Sequence, residues 1–272
     1  MNKIFALLLV ALTLVKVSNS RAQTASQSMV LIKTELGNMK LKLYNDTPAH
    51  KNNFLKLVNE GYYNGTLFHR VIKNFMIQGG DPESKDAPAG QRLGSGNPGY
   101  TIPAEIRPQH FHKKGALAAA RKGGPSNPEK RSSGSQFYIV QGEVISNGML
   151  DTLEMTVNNR AKNNFYKTQF SKASAELNAF RKNNDREGFN ARVAEIRAET
   201  DSLWALQQPF SFTTGQREAY TSIGGYPSLD REYTVFGELV SGFEVLDKIA
   251  ALETDQYDRP LQDIKITMEV VE

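Results

Sequence analysis

Short apolar segments of strand length, separated by turn-forming residues, recur along most of this chain and restrict it to a small set of folds. Segments of this kind cover residues 29–35, 37–44, 68–78, 116–120, 136–141, 234–237 and 263–270. Their length and residue types are typical of β-strands. Only two helices are predicted among them, one from Pro48 to about Gly61 and one at 243–250. Many short strands with two helices near the ends predict a mainly β fold, a closed antiparallel barrel.

A helical pattern interrupts the strands between residues 143 and 214. Apolar residues recur every three or four positions over 166–180 and again over 189–203, with polar residues and Gly188 between the two runs. This spacing predicts an inserted α-helical hairpin arm whose apolar stripes pack together. Its acidic and basic residues balance, so its charge indicates no target. Two roles stay open for this arm: a stabilising spacer, or an element that contacts a partner or substrate.

The first 22 residues have the pattern of an export signal. Lys3 precedes an apolar run over 4–15 that is too short to span a bilayer, and Ser20-Arg21-Ala22 offers a cleavage site. The alternative is a buried N-terminal strand or helix. We predict a signal peptide at 1–22 and export of the mature chain, to the periplasm. A second apolar span of membrane length is absent from the sequence, so we expect no stable membrane insertion.

Composition and spacing argue against several kinds of site. Cysteine is absent, which excludes disulfides, thiolate metal ligands and cysteine nucleophiles. The four histidines lack a carboxylate cluster or HExxH spacing, and the serines near Gly134 lack a GxSxG elbow. The glycines at 94–99 lack a P-loop lysine. The formal net charge of +4 falls to about +1 without residues 1–22. We therefore expect no metal, no cofactor and no nucleic-acid binding.

Two separate segments carry an arginine, an amide and apolar side chains. Arg70 lies in an otherwise apolar strand pattern and is followed by Phe75 and Met76. Gln136 lies beside two aromatic residues in a later strand. Such a set can bind a peptide and act on its backbone, yet it supplies no nucleophile. The alternative for Arg70 is a strand arginine in a structural ion pair.

These segments belong to a longer series that resembles the cyclophilins, the peptidyl-prolyl cis-trans isomerases. The series reads, in order, Phe68-His69-Arg70, Phe75-Met76, Gln78-Gly79-Gly80-Asp81, Gly134-Ser135-Gln136-Phe137, Leu229-Asp230 and Val235-Phe236-Gly237. The resemblance covers about residues 29–142 and resumes near Gln216. It implies an eight-stranded cyclophilin-like barrel capped by two helices. The barrel is then built from residues 23–142 and 215–272, with residues 143–214 as the helical insertion.

The resemblance also implies a role for each matching residue. Arg70 is the expected catalytic residue, and the expected substrate-binding residues are Phe75, Met76, Gln78, Ala120, Arg121, Gln136, Tyr138, Leu229 and Tyr233. Among these, Phe75, Met76, Tyr138 and Leu229 line the proline pocket, while Gln136 and the backbone around 120–121 hold the peptide. Three of these ten positions depart from the usual pattern. Tyr138 replaces a common phenylalanine and adds a hydroxyl at the pocket, Tyr233 replaces histidine, and Arg121 replaces asparagine.

The function implied is catalysis of rotation about X-Pro peptide bonds, which assists the folding of exported proteins. The expected partners are proline-containing unfolded or extended polypeptides. The alternative is a non-catalytic peptide-binding chaperone module that uses the barrel groove and the helical arm.

Overall fold

The protein is mainly β, with helices at the ends of the sheet and between its strands. The computed structural model describes residues 28–272, so the predicted signal peptide lies outside the described residues. The strands are β1 (Met29–Thr34), β2 (Gly37–Leu43), β3 (Arg70–Ile72), β4 (Met76–Gly79), β5 (Thr101–Ile102), β6 (Ala116–Ala119), β7 (Ser132–Ser133), β8 (Phe137–Val140), β9 (Val235–Ser241) and β10 (Thr267–Val271). The helices are α1 (Pro48–Asn59), α2 (Asn147–Lys172), α3 (Ser174–Lys182), α4 (Arg186–Ala205), α5 (Thr214–Ser222) and α6 (Phe243–Ala250).

Eight of the strands form one curled antiparallel sheet in the order β10-β1-β2-β9-β6-β8-β4-β3. The closed barrel expected from the sequence is not confirmed, because the edge strands β10 and β3 do not form a ladder with each other. A single bridge between Leu67 and Lys265 joins the segments that lead into these two strands. Strand β10 begins only after that bridge, and β3 is three residues long. The result is an open, curled half-barrel.

Helices α1 and α6 pack against the sheet and cover its apolar core. Phe54 and Leu57 of α1, and Leu246 of α6, are buried against the alternating inward side chains of β1 and β2. The turn between β1 and β2 lies under α6, where a Cβ on Gly37 would come within 2.7 Å of Val245. That position therefore requires glycine. The two helices and the strands form one continuous core.

The first turn of α1 is stabilised from outside the helix. Thr47 precedes Pro48, but its hydroxyl donates to the carbonyl of Tyr44 and does not cap the helix. The carboxylate of Glu105 instead accepts the backbone N–H groups of Ala49 and His50 at 3.1 and 2.9 Å. A carboxylate at this end satisfies N–H groups that the helix leaves unpaired.

The segment 68–78 was expected to be one strand region and is a hairpin. Asn74 has a left-handed backbone, with φ of 63°, and reverses the chain between β3 and β4. Arg70 consequently pairs with Gln78 across the hairpin, and Ile72 pairs with Met76. Asn is among the few non-glycine residues that adopt this conformation readily. The turn brings Phe75 and Met76 back to the side of the sheet that carries Arg70.

Residues 147–205 form three helices that return on themselves. A break at Ala173 separates α2 from α3, and α4 packs along both. Leu177, Ile196 and Thr200 are buried between them. Helix α5 was not predicted, and its Tyr220 is buried with Leu150 at the base of this helical segment. No helix in residues 28–272 is both long enough and apolar enough to cross a membrane.

Candidate active site

An open cavity of about 1080 Å³ lies along strands β3, β4 and β8 and the end of β6. Its lining includes every residue predicted to be catalytic or substrate-binding: Arg70, Phe75, Met76, Gln78, Ala120, Arg121, Gln136, Tyr138, Leu229 and Tyr233. The hairpin of β3 and β4 supplies the first four, and later segments of the chain supply the others. The structure thus brings these residues together. The individual roles assigned to them remain predictions.

One part of the cavity is apolar. Met76 and Tyr138 are almost fully buried at its floor, and the half-buried Phe75 and Leu229 pack against the same cluster. The ring of Phe75 is fixed by that of Tyr226, whose centroid is 4.4 Å away. Aromatic rings and a thioether form a surface that suits a compact apolar ring of a ligand.

The guanidinium of Arg70 is held at the edge of this apolar part by a carboxylate. Nε of Arg70 lies 3.2 Å from Oδ2 of Asp258, and the two side chains are 40% and 43% exposed. Within residues 28–272, the two terminal nitrogens of Arg70 have no protein hydrogen-bond partner. One side of the guanidinium is therefore fixed, while its terminal N–H groups remain available to a ligand.

Asp258 is itself held firmly against the sheet. Its backbone is left-handed, with φ of 62°, and its carbonyl accepts the N–H of Val71 at 2.8 Å. The next residue, Arg259, is buried and donates to the carbonyls of Ala87 and Pro88 at 3.0 and 2.8 Å. These bonds attach the loop that carries Asp258 to the loop after β4. Asp258 thus has little freedom to leave Arg70.

The amide of Gln136 is already engaged by the protein. Its nitrogen donates to the carbonyls of Gly94 and Gly96 at 3.0 and 2.7 Å, and its oxygen accepts from Gln78 at 2.9 Å. Asp81 holds the same loop by accepting the N–H of Gly94. Gln136 was expected to hold a bound peptide. In this structure only its oxygen retains a free lone pair.

Residues 120–121 form one wall of the cavity, and only Arg121 has backbone groups that are free to bind a peptide. The N–H of Ala120 donates to Gln136, and its carbonyl accepts from Ser133 at 2.8 Å. In the described part of the chain, the backbone N–H and C=O of Arg121 have no hydrogen-bond partner. The guanidinium of Arg121 lies 4.6 Å from the ring centroid of Tyr233. Arg121 can therefore bind a peptide backbone while its side chain fixes the Tyr233 ring.

The hydroxyl of Tyr138, expected at the pocket, points away from it into the protein. It lies 3.0 Å from Nε2 of His112, whose Nδ1 lies 2.9 Å from Asp230. The other oxygen of Asp230 accepts from Tyr220 of α5 at 2.6 Å. Burial raises the pKa of Tyr138 well above its usual value, so the hydroxyl stays protonated and can donate to His112. This series of hydrogen bonds connects the pocket floor to the base of the helical segment.

His69 lies next to Arg70 and also lines the cavity. Its side chain is buried, and neither ring nitrogen has a hydrogen-bond partner among residues 28–272. Burial lowers the pKa of His69 to about 4. The ring is therefore neutral at pH 7 and adds no charge beside Arg70.

Several lining residues were missed by the sequence analysis. They include Arg92, Asn97, Lys122, Arg131, Gln256, Tyr257 and Asp258. All lie in irregular segments, where apolar periodicity does not indicate which way a side chain points. For Asp258, a Tyr-Asp pair in a polar turn was the only available signal. Nothing in it pointed to Arg70, which is 188 positions away.

The comparisons with known proteins agree with this geometry. A family model described as cyclophilin type peptidyl-prolyl cis-trans isomerase/CLD matches residues 29–270. Proteins named as peptidyl-prolyl cis-trans isomerases from Staphylococcus saprophyticus and Staphylococcus aureus are each 30% identical to the chain. The first match covers 89% of this chain and 91% of the relative, and the second covers 87% and 88%.

A longer relative and a solved structure extend the comparison. A Streptococcus pyogenes protein, whose name includes bifunctional phosphatase/peptidyl-prolyl cis-trans isomerase, is 34% identical over 89% of this chain. The match spans only 38% of that protein's length. A Cryptosporidium parvum cyclophilin type peptidyl-prolyl cis-trans isomerase superposes with a TM-score of 0.52 at 22% identity, over 90% of this chain and 98% of that one. At this identity the superposition supports the fold alone.

Proposed function

The chain belongs to the cyclophilin-type peptidyl-prolyl cis-trans isomerases, and from this we propose that the cavity around Arg70 is where it acts. The family assignment confirms the prediction of an isomerase that rotates X-Pro peptide bonds. What remains to be proposed is how its own residues do this.

The reaction needs a surface that stabilises a twisted amide. Resonance in the peptide bond sets a rotational barrier of about 18–20 kcal/mol, and uncatalysed X-Pro exchange takes tens of seconds or more. No bond is made or broken. An enzyme therefore accelerates the exchange by binding the twisted state more tightly than either planar isomer.

The observation that carries this proposal is the arrangement of Arg70. Asp258 contacts Nε alone, so the terminal N–H groups can donate to the carbonyl of a bound proline. That bond places a guanidinium N–H beside the imide nitrogen, where it stabilises the localised lone pair and so weakens the resonance that resists rotation. The apolar surface of Phe75, Met76 and Leu229 holds the prolyl ring. The peptide segment before the proline then turns relative to a fixed ring.

The backbone of Arg121 and the free lone pair of Gln136 hold the peptide on the other side of the groove. Both groups line the cavity and retain unused hydrogen-bonding capacity. Proline-containing peptides are the proposed ligands. In support, the Cryptosporidium parvum cyclophilin was also solved in the presence of the dipeptide Ala-Pro.

The test is a cis–trans exchange assay on a short X-Pro peptide, followed by NMR exchange spectroscopy or by a protease that cleaves only the trans isomer. We expect acceleration without added metal or nucleotide. An exchange rate equal to the uncatalysed rate, with the protein folded by circular dichroism, would reject the assignment.

We also propose that the protein is exported and assists the folding of exported proteins. The support is Lys3 followed by an apolar run of signal-peptide length. Mass spectrometry of the protein from a fractionated host should find a new N-terminus at Gln23 in the periplasmic fraction. Intact Met1 in the cytoplasmic fraction alone would reject export.

A second candidate role, binding of unfolded chains by the helical segment, is favoured by its exposed apolar side chains. Met149, Met155 and Leu206 are 56%, 58% and 80% exposed on or beside α2 and α4. Flexible apolar side chains of this kind adapt to varied partners. This role would add to isomerisation at the cavity.

A further inference from the structure

The cavity carries far more positive than negative charge. Its lining holds five arginine and lysine side chains, Arg70, Arg92, Arg121, Lys122 and Arg131. Across residues 28–272, Asp258 is the one carboxylate that lines the same cavity. The full chain has 33 basic and 29 acidic residues, so this excess is local and does not reflect overall composition. A cleft lined by one sign of charge raises the local concentration of ligands of the opposite sign.

Two of the five cations are compensated by carboxylates. Arg70 is paired with Asp258, and Arg121 lies 2.9 Å from Glu232, which lies outside the lining. Their charges are therefore largely balanced before a ligand binds.

The other three cations have little or no compensation. Within the described part of the chain, Arg92 and Lys122 have no carboxylate within 4.0 Å. For Arg131 the nearest carboxylate is Glu129, 3.9 Å away on a side chain that is 76% exposed. An ion pair of that length at the surface contributes little. These three charges remain available to a ligand.

Lys122 and Arg131 belong to one organised loop. The side-chain nitrogen of Asn127 donates to the carbonyls of Lys122 and Arg131 at 2.9 and 2.8 Å, and its oxygen accepts the N–H of Arg131 at 2.9 Å. The guanidinium of Arg131 is fixed by two bonds to Thr101 of β5, at 2.8 and 3.0 Å. Lys122 also directly follows Arg121, whose backbone groups are free. A peptide that pairs with Arg121 therefore lies beside Lys122, which Asn127 joins to Arg131.

We propose that this isomerase prefers X-Pro substrates with an acidic side chain near the proline, bound by Lys122 and Arg131. The inference rests on the proposed function, because it assumes that the peptide lies in this cavity. The ligand class is an extended polypeptide with aspartate or glutamate within a few residues of the proline. A lysine at the same place meets like charges and is disfavoured.

The test uses a set of short X-Pro peptides in which one glutamate, glutamine or lysine is moved through the positions on either side of the proline. We expect at least one position where kcat/KM for glutamate exceeds that for glutamine by about two- to fivefold, the size of an exposed ion pair. Lysine there should be worse than glutamine. Because the charges are exposed, the ratio should shrink toward one in 0.5 M salt.

Two variants locate the effect. Lys122→Gln should reduce the glutamate-to-glutamine ratio, and Lys122→Glu should invert the preference toward lysine. Lys248→Gln on α6 is the matched control, because it removes the same charge from an exposed position outside the cavity. It should leave the ratio unchanged. A ratio near one at every position in the wild-type protein, or a ratio unaffected by Lys122→Glu, overturns the proposal.

Failure of the proposed function would look different. If even the glutamine peptides show no accelerated exchange, the site does not catalyse, yet their binding can still be measured by calorimetry. Tighter binding of the glutamate peptides would then support the charge preference by itself. Equal binding of glutamate, glutamine and lysine peptides would reject it.

Discussion

Nε of Arg70 and Oδ2 of Asp258 are 3.2 Å apart, and the backbone of Asp258 is itself bonded to β3. The carboxylate therefore fixes the guanidinium through Nε and leaves its two terminal nitrogens to a ligand. In a reaction that depends on donor direction, a fixed guanidinium loses less freedom when the substrate binds.

Removal of Asp258 should lower activity by freeing Arg70. Asp258→Ala is expected to reduce kcat/KM for a neutral X-Pro peptide by about two- to fivefold, the effect of a partly exposed ion pair. Asp258→Asn should lose less, since its amide oxygen still accepts from Nε. The measurement is peptide exchange kinetics for all three proteins.

Asp247 provides a matched control for this comparison. It pairs with Lys114 at 2.7 Å and is 43% exposed, the same fraction as Asp258, but it lies outside the cavity. Asp247→Ala should leave kcat/KM unchanged. Equal activity of Asp258→Ala and wild type would show that Asp258 does not position Arg70.

The buried hydrogen-bond network that links Tyr138 to Tyr220 should contribute to stability. Tyr138→Phe leaves Nε2 of the fully buried His112 without a partner, and the free energy of unfolding is expected to fall by about 1–3 kcal/mol. Tyr220→Phe removes the bond to Asp230 and should have a similar effect. Because the groups form one network, the double variant should lose less than the sum of the two. Urea unfolding measures all three values.

Tyr226→Phe is the control for that series. In the part of the chain that the structure describes, its hydroxyl has no protein hydrogen-bond partner, so it should change the unfolding free energy by less than about 0.5 kcal/mol. Strictly additive losses for Tyr138→Phe and Tyr220→Phe would contradict a connected network.

Local patterns along the chain predicted much of the fold. The β1–β2 hairpin, α1 and α6 agree with the predicted segments within one or two residues, because each has a clear apolar period and clear end signals. The pairing across β3 and β4 was missed, since the turn depends on one left-handed residue, Asn74. Barrel closure was expected and is not confirmed, because strand count does not determine where a ladder ends.

The candidate site was predictable only where the resemblance supplied residues. All ten predicted positions line one cavity, but their partners were not foreseen. The bonds of Gln136 to Gly94 and Gly96, and of Arg70 to Asp258, join residues that are distant in sequence. Such contacts follow from tertiary packing, and a single sequence contains no periodic signal for them.

Acid should destabilise the protein through His69. Its pKa falls from about 6.5 in the unfolded chain to about 4 in the folded state, so between these pH values the unfolded chain binds the proton first. Above pH 6.5 His69 causes no loss of stability. As the pH falls to 4, it lowers the free energy of unfolding by about 3 kcal/mol. His69→Leu should remove this part of the pH dependence, as measured by urea unfolding at pH 7.5 and 4.5.

His50 is a useful reference within that experiment. Burial lowers its pKa too, although Glu105 opposes the shift, so some acid sensitivity should persist in His69→Leu. The unfolding free energy of the wild type falls by some amount between pH 7.5 and 4.5. If it falls by the same amount in His69→Leu, His69 does not titrate as inferred.

Shortening the helical segment should separate its role from that of the cavity. Asn158 of α2 makes two bonds to the backbone of Phe210, at 2.9 and 2.7 Å, so the two positions are adjacent. A short Gly-Ser linker replacing 160–208 keeps Leu150 and Tyr220 packed at the base. We expect short-peptide isomerisation to persist, because the cavity is untouched, and proline-limited refolding of a whole protein to slow.

Each outcome for the shortened protein is informative. Equal refolding with and without residues 160–208 would favour the spacer role. Loss of the folded state would instead show that the sheet needs the helical segment for its stability. Circular dichroism and urea unfolding distinguish this case before activity is compared.

If the Arg70 guanidinium drives rotation of the X-Pro bond, kcat/KM for a neutral peptide in Arg70→Ala and Arg70→Lys tests it most directly. Both variants should fold as the wild type does, because Arg70 is 40% exposed. Arg70→Ala should lose at least about tenfold, equivalent to about 1.4 kcal/mol of transition-state stabilisation. Arg70→Lys should recover little, since an ammonium lacks the planar set of donors. Wild-type kcat/KM in either folded variant would show that the Arg70 guanidinium does not drive the rotation.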